Sequence, residues 1–274
     1  GFSAKALSRR LPDDWTIYGT TRSAEKHADV TASGAIPIVW PEADIESILA
    51  QTTHLLLSAA PNDAGDPVLD KLGGEITKRA KQFEWVGYLS TTGVYGDHNG
   101  DWVDEATPLT PATKRGQMRK DAEAAWQAIP DLPLHIFRLA GIYGPGRGPF
   151  AKVRAGTARR IIKEGQVFSR IHVDDIAQIL QASINAPNAG AIYNMCDDDP
   201  APPEDVIGYA AELLGLPLPE AVDFETADMT PMARSFYAES KKVRNDRIKD
   251  ELGIKLIHPD YKAGLKSLLQ AETN

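Results

Sequence analysis

Short apolar runs alternate with amphipathic stretches over the first two thirds of this chain. Five of the runs predict β-strands, at 15–22, 35–40, 53–61, 85–92 and 134–144. The last four are largely apolar, as strands covered on both faces are. Helical periodicity marks the stretches between them, at 42–51, 70–83 and 119–128. Alternating strands and helices predict a parallel α/β sheet, in which ligands gather at the carboxyl ends of the strands.

The regular alternation stops at the turn-rich stretch "GPGRGPF", which begins at Gly144. A further helix and strand follow at 170–184 and 191–199, and two amphipathic helices are predicted at 203–215 and 240–253. We expect a doubly wound parallel Rossmann sheet with a smaller, mostly helical C-terminal substrate part. The sheet domain would comprise 1–145 and 166–197, and the C-terminal part 146–165 and 198–274.

Composition narrows the choice of partners. The 274 residues are 42% apolar and 25% charged, as expected for a folded globular chain, and the net charge of −8 disfavours nucleic acid or an anionic membrane as a partner. The single cysteine, Cys196, cannot form an internal disulfide, and no apolar run is long enough for a membrane span. A single cysteine is most simply explained by a reducing compartment, so the chain is expected to be cytoplasmic.

The opening "GFSAKALSRRL" matches the second half of a G-x-G-x-x-G/A turn. Gly1 would let the backbone approach a pyrophosphate, and Phe2 and Ser3 would begin the helix whose N-terminus faces the phosphates. The first strand and first glycine of the motif would then precede residue 1. A helix start without a ligand is the alternative.

The strand predicted at 15–22 would be the second strand of the dinucleotide-binding motif, and the residues at its end indicate which cofactor binds. An NAD enzyme usually carries an acid here for the ribose 2′-hydroxyl, but this chain has Thr21, Arg22 and Ser23. Arg22 is placed to meet a 2′-phosphate, so the sequence favours NADP over NAD. A surface arginine in a loop is the alternative.

Three stretches, "STTGVYG", "RLAGIYGPGR" and "RIHVDDIA", follow one another in this order along the chain. They resemble the extended short-chain dehydrogenase/reductase superfamily of NAD(P)-dependent epimerases and dehydratases. The resemblance implies that Thr91, with Thr92 beside it, hydrogen-bonds the reacting oxygen of the substrate. It also implies that the backbone of the small-residue segment 58–61, namely Ser58, Ala59, Ala60 and Pro61, approaches the adenosine half of the cofactor.

That superfamily also implies a Tyr-x-x-x-Lys pair on the next helix, in which the lysine lowers the pKa of the tyrosine. Aligning "DAE" places Arg119 at the lysine and Arg115 at the tyrosine; aligning on Lys120 instead places Gly116 at the tyrosine. Arg119 can hold the ribose, but an arginine is a poor proton shuttle. This departure, and the C-terminal sequence, resemble the atypical YeeZ-like bacterial group.

Other residues are candidates for the remaining roles. Tyr95 and Tyr143 lie in the two "YG" turns and are candidate proton donors, although a structural role is the alternative for both. Arg147 and Arg170 are candidates to bind a phosphate or carboxylate of the substrate, with ion pairs as the alternative. The acids of "CDDDP" are interpreted as a turn and helix cap, and no metal site is expected.

Two functions follow from these features. The first is an NADP-dependent oxidoreductase or epimerase/dehydratase-like enzyme that acts on a small molecule, including nucleotide- or sugar-linked compounds, with Thr91 as the orienting hydroxyl. The second is a cofactor-binding redox sensor or regulator without turnover, which the absent tyrosine favours. Homodimers are frequent in the superfamily, so the resemblance also admits a homodimer.

Overall fold

The computed structural model describes residues 1–40 and 44–273. The first two positions of the helix predicted at 42–51 lie outside the described residues. The strands are β1 (Tyr18–Thr21), β2 (Ile36–Val39), β3 (His54–Leu57), β4 (Trp85–Thr91), β5 (Trp102–Val103), β6 (Leu134–Leu139), β7 (Gly141–Tyr143), β8 (Arg160–Ile162), β9 (Arg170–His172), β10 (Ile192–Met195), β11 (Ala221–Asp223) and β12 (Lys242–Val243). The helices are α1 (Phe2–Ser8), α2 (His27–Thr31), α3 (Ile45–Leu49), α4 (Pro67–Lys78), α5 (Lys114–Gln127), α6 (Phe150–Arg154), α7 (Val173–Asn185), α8 (Pro203–Leu213), α9 (Pro231–Phe236), α10 (Asp246–Leu252) and α11 (Tyr261–Thr273).

The central sheet is parallel and has the strand order β10-β6-β4-β3. A second parallel pair, β1 and β2, shares a core with it, since Ile38 of β2 and Leu57 of β3 belong to one apolar cluster. Helices follow most strands, as right-handed crossovers between parallel strands require. The predicted Rossmann-like α/β class is confirmed.

Both faces of the sheet are covered, and β4 shows how its sequence achieves this. Trp85 and Leu89 face one apolar cluster, while Val86 and Tyr88 face the other. This alternation is the period of two that a pleated strand imposes on side chains. Gly87 leaves room for the indole of Trp85, because a Cβ there would lie 2.1 Å from the ring.

The structure corrects three details of the predicted elements. The strand predicted at 134–144 divides into β6 and β7, because β7 leaves the central sheet to pair with β9. Helix α5 begins at Lys114, five residues before the predicted start, because the Thr113 hydroxyl caps it by accepting the amide of Gly116 at 3.1 Å. The helix predicted at 240–253 begins as strand β12, whose backbone pairs with β5, and only then continues as α10.

The C-terminal part packs in two places. One cluster buries side chains of α6, α8 and α11 together with Tyr143 at the end of β7. By contrast, Ile248 of α10 lies in the same core as Phe137 of the central sheet. Within the described residues, no helix has both the length and the apolar character needed to cross a bilayer.

Candidate functional site

The predicted hydroxyl lies at the carboxyl edge of the central sheet. Thr91 is the last residue of β4 and pairs with Leu139, the last residue of β6. Its side chain accepts the amide of Gly93 at 3.2 Å and so starts the short 3-10 helix Thr92–Tyr95. Both Thr91 and Thr92 are half-buried, so their hydroxyls stand where strand ends meet solvent.

The first turn of α5 packs tightly against this edge. A Cβ on Gly116 would lie 2.6 Å from the carbonyl oxygen of Gly93 and 2.8 Å from the Cβ of Pro111. A larger side chain at position 116 would therefore force the helix away from the strand end. Arg115 is exposed, and its guanidinium carbon lies 4.6 Å from the ring centroid of Phe236 in α9.

Arg119 reaches the ends of two neighbouring strands. Its Nη1 donates to the carbonyl of Leu89 at 2.8 Å and to the carbonyl of Ala59, just after β3, at 3.3 Å. The same nitrogen lies 3.0 Å from the hydroxyl of Tyr88. Lys120 instead donates to the carbonyl of Leu109 at 2.9 Å. Arg119, rather than Lys120, therefore reaches the carboxyl edge of the sheet.

A buried ion pair fixes α5 to the sheet. The carboxylate of Glu123 accepts a hydrogen bond from Nη2 of Arg138 at 2.8 Å and another from the hydroxyl of Ser90 at 2.5 Å. The two charged side chains are 2% and 4% exposed. A pair this deeply buried holds its geometry because neither charge can exchange its partner for water. The pair thereby fixes the position of Arg119, one helical turn before Glu123.

Tyr95 lies in the core rather than at the open edge. Its side chain is 0% exposed, its hydroxyl donates to Oδ1 of Asn194 at 2.7 Å, and Arg138 donates to that hydroxyl at 3.0 Å. Burial raises the pKa of Tyr95 to about 12. This environment holds the phenol proton and favours a structural role for Tyr95.

Tyr143 is also enclosed. Its hydroxyl points to the carbonyl of Asp260 at 3.4 Å, and a Cβ on Gly264 would lie 2.1 Å from that hydroxyl. Burial, together with the nearby carboxyl groups of Asp197 and Asp175, raises the pKa of Tyr143 well above its ordinary value. The contacts join β7 to α11, which favours a structural role here as well.

The residues predicted to meet the cofactor phosphates come together. Gly1 precedes α1, and a Cβ on Gly1 would lie 3.7 Å from the hydroxyl oxygen of Ser58 beyond β3. Phe2 packs on the turn after β7, since a Cβ on Gly144 would lie 3.1 Å from its ring. Arg147 from that turn is exposed, with its guanidinium carbon 5.8 Å from the ring centroid of Phe2.

The other predicted cofactor residues lie at the ends of their strands. Arg22 follows β1 and is exposed, while Thr21 is buried and its hydroxyl bonds to the backbone of Ser23. The remaining predicted residues range from buried to exposed: Ser3 and Pro61 are buried, Ala59 is half-buried, and Ser58 and Ala60 are exposed. Ser58, Ala59 and Ala60 follow β3 and therefore lie at the same carboxyl edge of the sheet as Thr91.

Arg170, predicted to hold a substrate anion, begins β9. Its Nη1 donates to the carbonyls of Phe168 at 2.7 Å and Ala201 at 3.0 Å. Asp197 lies beside it, since the Asp197 amide donates to the Arg170 carbonyl at 2.6 Å. Sequence reasoning missed Asp197, although three consecutive acids directly after a strand end were a signal for it.

Two buried histidines also approach a carboxylate. Ligand atoms of His172, Asp175 and His258 lie within 4.8 Å of one another. The oxygens of Asp175 already accept the amides of Ile257 at 2.7 Å and His258 at 3.0 Å. Burial and the neighbouring His258 lower the pKa of His172 to about 4, so its imidazole is neutral. The carboxylate thus anchors the loop before α11 through the backbone.

Comparison with known proteins identifies the family. No family model matches the chain. The chain is 32% identical over 228 residues to protein YeeZ of Escherichia coli K12, and the aligned region covers 81% of this chain and 77% of YeeZ. The chain belongs to the YeeZ family. It is also 29% identical over 177 residues to a 3-diazoavenalumate denitrifying reductase of a Streptomyces species, covering 60% of this chain and 55% of that protein.

Solved structures agree with this family and fold. A functionally unknown conserved protein from Silicibacter pomeroyi is 62% identical to this YeeZ-family chain, with a TM-score of 0.96, and the match covers 99% of this chain and 96% of the other. The UDP-glucuronic acid 4-epimerase of Bacillus cereus, in complex with NAD, is 14% identical with a TM-score of 0.77, covering 100% and 97%. The YeeZ-family chain therefore has the fold of the extended short-chain dehydrogenases/reductases.

Proposed function

We propose that this chain binds a nicotinamide dinucleotide, preferentially NADP, and acts as an oxidoreductase or epimerase/dehydratase-like enzyme on a small hydroxylated substrate. The observation that carries the proposal is that Thr91 ends β4 while the guanidinium of Arg119, from α5, reaches the carbonyl of Ala59 just after the neighbouring strand β3. A hydroxyl and a guanidinium at this edge suit a site that orients a reacting oxygen beside a ribose.

The residues on the phosphate side fit a dinucleotide. Gly1 lies close to the hydroxyl of Ser58, and the small residues after β3 leave space for an adenosine. The amides of the first turn of α1 suit a pyrophosphate, because a helix N-terminus carries unpaired N–H groups. Arg22, exposed after β1, suits a 2′-phosphate and is the reason for preferring NADP.

The cofactor would accept or donate the hydride, and the protein would control the transfer of the proton. We assign the orientation of the reacting oxygen to Thr91 and the ribose hydroxyls to Arg119. The usual catalytic tyrosine has no counterpart in this proposal, since Arg115 and Gly116 occupy the two aligned positions. Because the hydroxyls of Tyr95 and Tyr143 are enclosed in the core, we assign the proton to water or to the substrate itself.

Similar proteins support a redox role. The Streptomyces relative is named as a reductase, and the Bacillus cereus neighbour is an epimerase in complex with NAD. A second function, an NADP-binding sensor without turnover, is favoured by one observation. The Nη1 atom of Arg119 is already engaged by two carbonyl groups and a phenol.

The test is a fluorescence titration of the protein with NADPH and NADH side by side. We expect NADPH to bind at least about tenfold more tightly, because a charge-assisted contact from Arg22 to the 2′-phosphate is lost with NADH. Equal affinity for the two would remove the assignment of Arg22. If neither binds, the proposed function is wrong and a partner-binding role replaces it.

A further inference from the structure

Unpaired acceptor atoms are concentrated beside β9 and β10. Within the described part of the chain, both carboxyl oxygens of Asp197 are buried without a hydrogen-bond partner, and Asp197 is 1% exposed. The Oε2 atom of Glu204, in the first turn of α8, is also buried and unpaired among the described residues. Buried carboxyl oxygens are normally satisfied, so these three atoms are free to accept a hydrogen bond from a ligand or a water molecule.

Arg170 lies among these acids. Its charge interacts with the carboxyl groups of Asp197, Asp199 and Glu204, and Glu204 also interacts with the charges of Arg160 and Asp205. Of the nitrogens of Arg170, Nη1 is engaged by two backbone carbonyls. Arg170 and Glu204 are half-buried, which leaves the cluster open to solvent on one side.

Aromatic side chains lie near Arg170, whose guanidinium carbon is 5.9 Å from the ring centroid of Phe168. The charge of Arg170 also acts on the phenols of Tyr143, Tyr237 and Tyr261, all of which are buried. The rings of Phe168 and Tyr237 meet edge to face with centroids 5.4 Å apart. Acidic acceptors, a guanidinium donor and aromatic faces in one place are the groups with which proteins hold polar, ring-shaped ligands.

The cluster is connected to the proposed reaction site through β6 and β7. Thr91 pairs with Leu139 at the end of β6, and Gly141, two residues further along the chain, pairs with Arg170. The strand ends that carry Thr91 and Arg170 are therefore joined by two backbone pairings and one short connection.

The charges decide which group fits. A phosphate or carboxylate would face the carboxyl groups of Asp199 and Glu204, and an ammonium would face the fixed charge of Arg170. A neutral polyhydroxyl group avoids both conflicts, because each hydroxyl can donate to a carboxyl oxygen and accept from a guanidinium. Burial also raises the pKa of Asp197 to about 8, so near neutral pH this carboxyl can both donate and accept.

We propose that the cluster of Arg170, Asp197 and Glu204 binds the hydroxyl groups of a neutral polyhydroxyl substrate and discriminates against a nucleotide diphosphate. This inference rests on the proposed function, whose substrate class it names. It changes the predicted role of Arg170 from holding a substrate anion to donating to a substrate hydroxyl.

The test uses three hexose probes of different charge together with one nucleotide diphosphate. Ligand-observed NMR would compare the binding of methyl glucoside, glucose 6-phosphate, glucosamine and UDP to the protein. We expect methyl glucoside to bind at least about tenfold more tightly than each charged probe, the equivalent of one hydrogen bond to a charged group. Tighter binding of UDP or glucose 6-phosphate would overturn the inference.

Variants tie the preference to the cluster. We expect Glu204→Gln to weaken methyl glucoside binding about tenfold, and Asp197→Asn with Glu204→Gln to gain affinity for glucose 6-phosphate, because neither side chain can then carry a negative charge beside Arg170 at any pH. Glu212→Gln, at an exposed position of the same helix α8, is the matched control and should change neither. The single Glu204→Gln variant remains a test if the double variant does not fold.

The outcomes separate the two proposals. NADPH binding combined with equal binding of all four probes, or with no probe binding, would overturn the polyhydroxyl inference and leave the proposed function standing. Methyl glucoside binding that depends on Glu204 in a protein that binds neither NADPH nor NADH would support the binding cluster and overturn the redox function.

Discussion

Gly116 and Gly93 approach so closely that a Cβ on Gly116 would lie 2.6 Å from the carbonyl oxygen of Gly93. The contact joins the first turn of α5 to the 3-10 helix that Thr91 caps. Position 116 therefore requires glycine for this spacing. The position of α5, and with it Arg119, depends on the absence of a side chain at Gly116.

Gly116→Ala should destabilise the protein. A methyl group in contact with backbone forces a local shift, which typically costs about 1–3 kcal/mol. Urea unfolding followed by circular dichroism measures the free energy of unfolding. Gly74→Ala is the matched control: Gly74 lies in α4 with open space around its Cα, so alanine should stabilise the helix there by about 0.5–1 kcal/mol. Equal effects of the two changes would contradict the tight contact.

Glu123→Gln should be strongly destabilising. The change leaves the charge of Arg138 buried without its counter-ion, a loss of about 3–5 kcal/mol. Chemical denaturation provides the measurement. Asp63→Asn breaks the exposed pair with Lys114 and should cost less than about 1 kcal/mol. A cost for Glu123→Gln as small as that of the control would show that the buried pair does not hold α5.

Thr91→Val should abolish or greatly reduce turnover while cofactor binding persists. Valine keeps the shape of threonine but removes the hydroxyl that we assign to the reacting oxygen. Removing one such hydrogen bond from a transition state lowers kcat by roughly 100-fold. Steady-state kinetics and NADPH titration on the same sample give the two readouts. Unchanged kcat would remove the role of Thr91 and favour the sensor function.

Arg22→Ala should lower the affinity for NADPH and leave that for NADH nearly unchanged. A charge-assisted hydrogen bond to phosphate contributes about 1.5–3 kcal/mol, so the dissociation constant for NADPH should rise about 10- to 100-fold. Fluorescence titration of the variant with both nucleotides measures the difference. Arg9→Ala, at another exposed arginine, is a control for the loss of a positive charge. A parallel loss for both nucleotides would contradict contact with the 2′-phosphate.

Asp197→Asn should change how stability depends on pH. Burial raises the pKa of Asp197 to about 8 from an ordinary value of 3.8, so the folded state binds this proton more tightly than the unfolded state. The carboxyl therefore supports folding below pH 4 and loses that contribution as the pH rises to about 8. Urea unfolding should show the variant gaining stability over the native protein across this window, by on the order of 1–3 kcal/mol. A constant difference between pH 4 and pH 8 would refute the assignment.

Much of the sheet could be predicted from the sequence because its strands carry a local signal. The apolar run of β4 and its period of two indicate a strand buried on both faces, and Trp85 and Val86 confirm it. By contrast, β12 was predicted as helix. Of its two residues only Val243 favours a strand, and the element exists through backbone pairing with the distant β5.

The same distinction between local sequence signals and long-range contacts applies to the candidate site. The sequence by itself determined the parallel α/β class and the strand-end position of Thr91. That arginines stand on α5 where the superfamily has a tyrosine and a lysine stays a prediction. Hydrophobic periodicity and motif spacing are local properties that one chain displays. Only the tertiary structure placed the hydroxyls of Tyr95 and Tyr143 in the core, set the spacing of Gly116 and gathered acids around Arg170. Burial and charge pairing arise from residues far apart in the chain, so they are decided only when the chain folds.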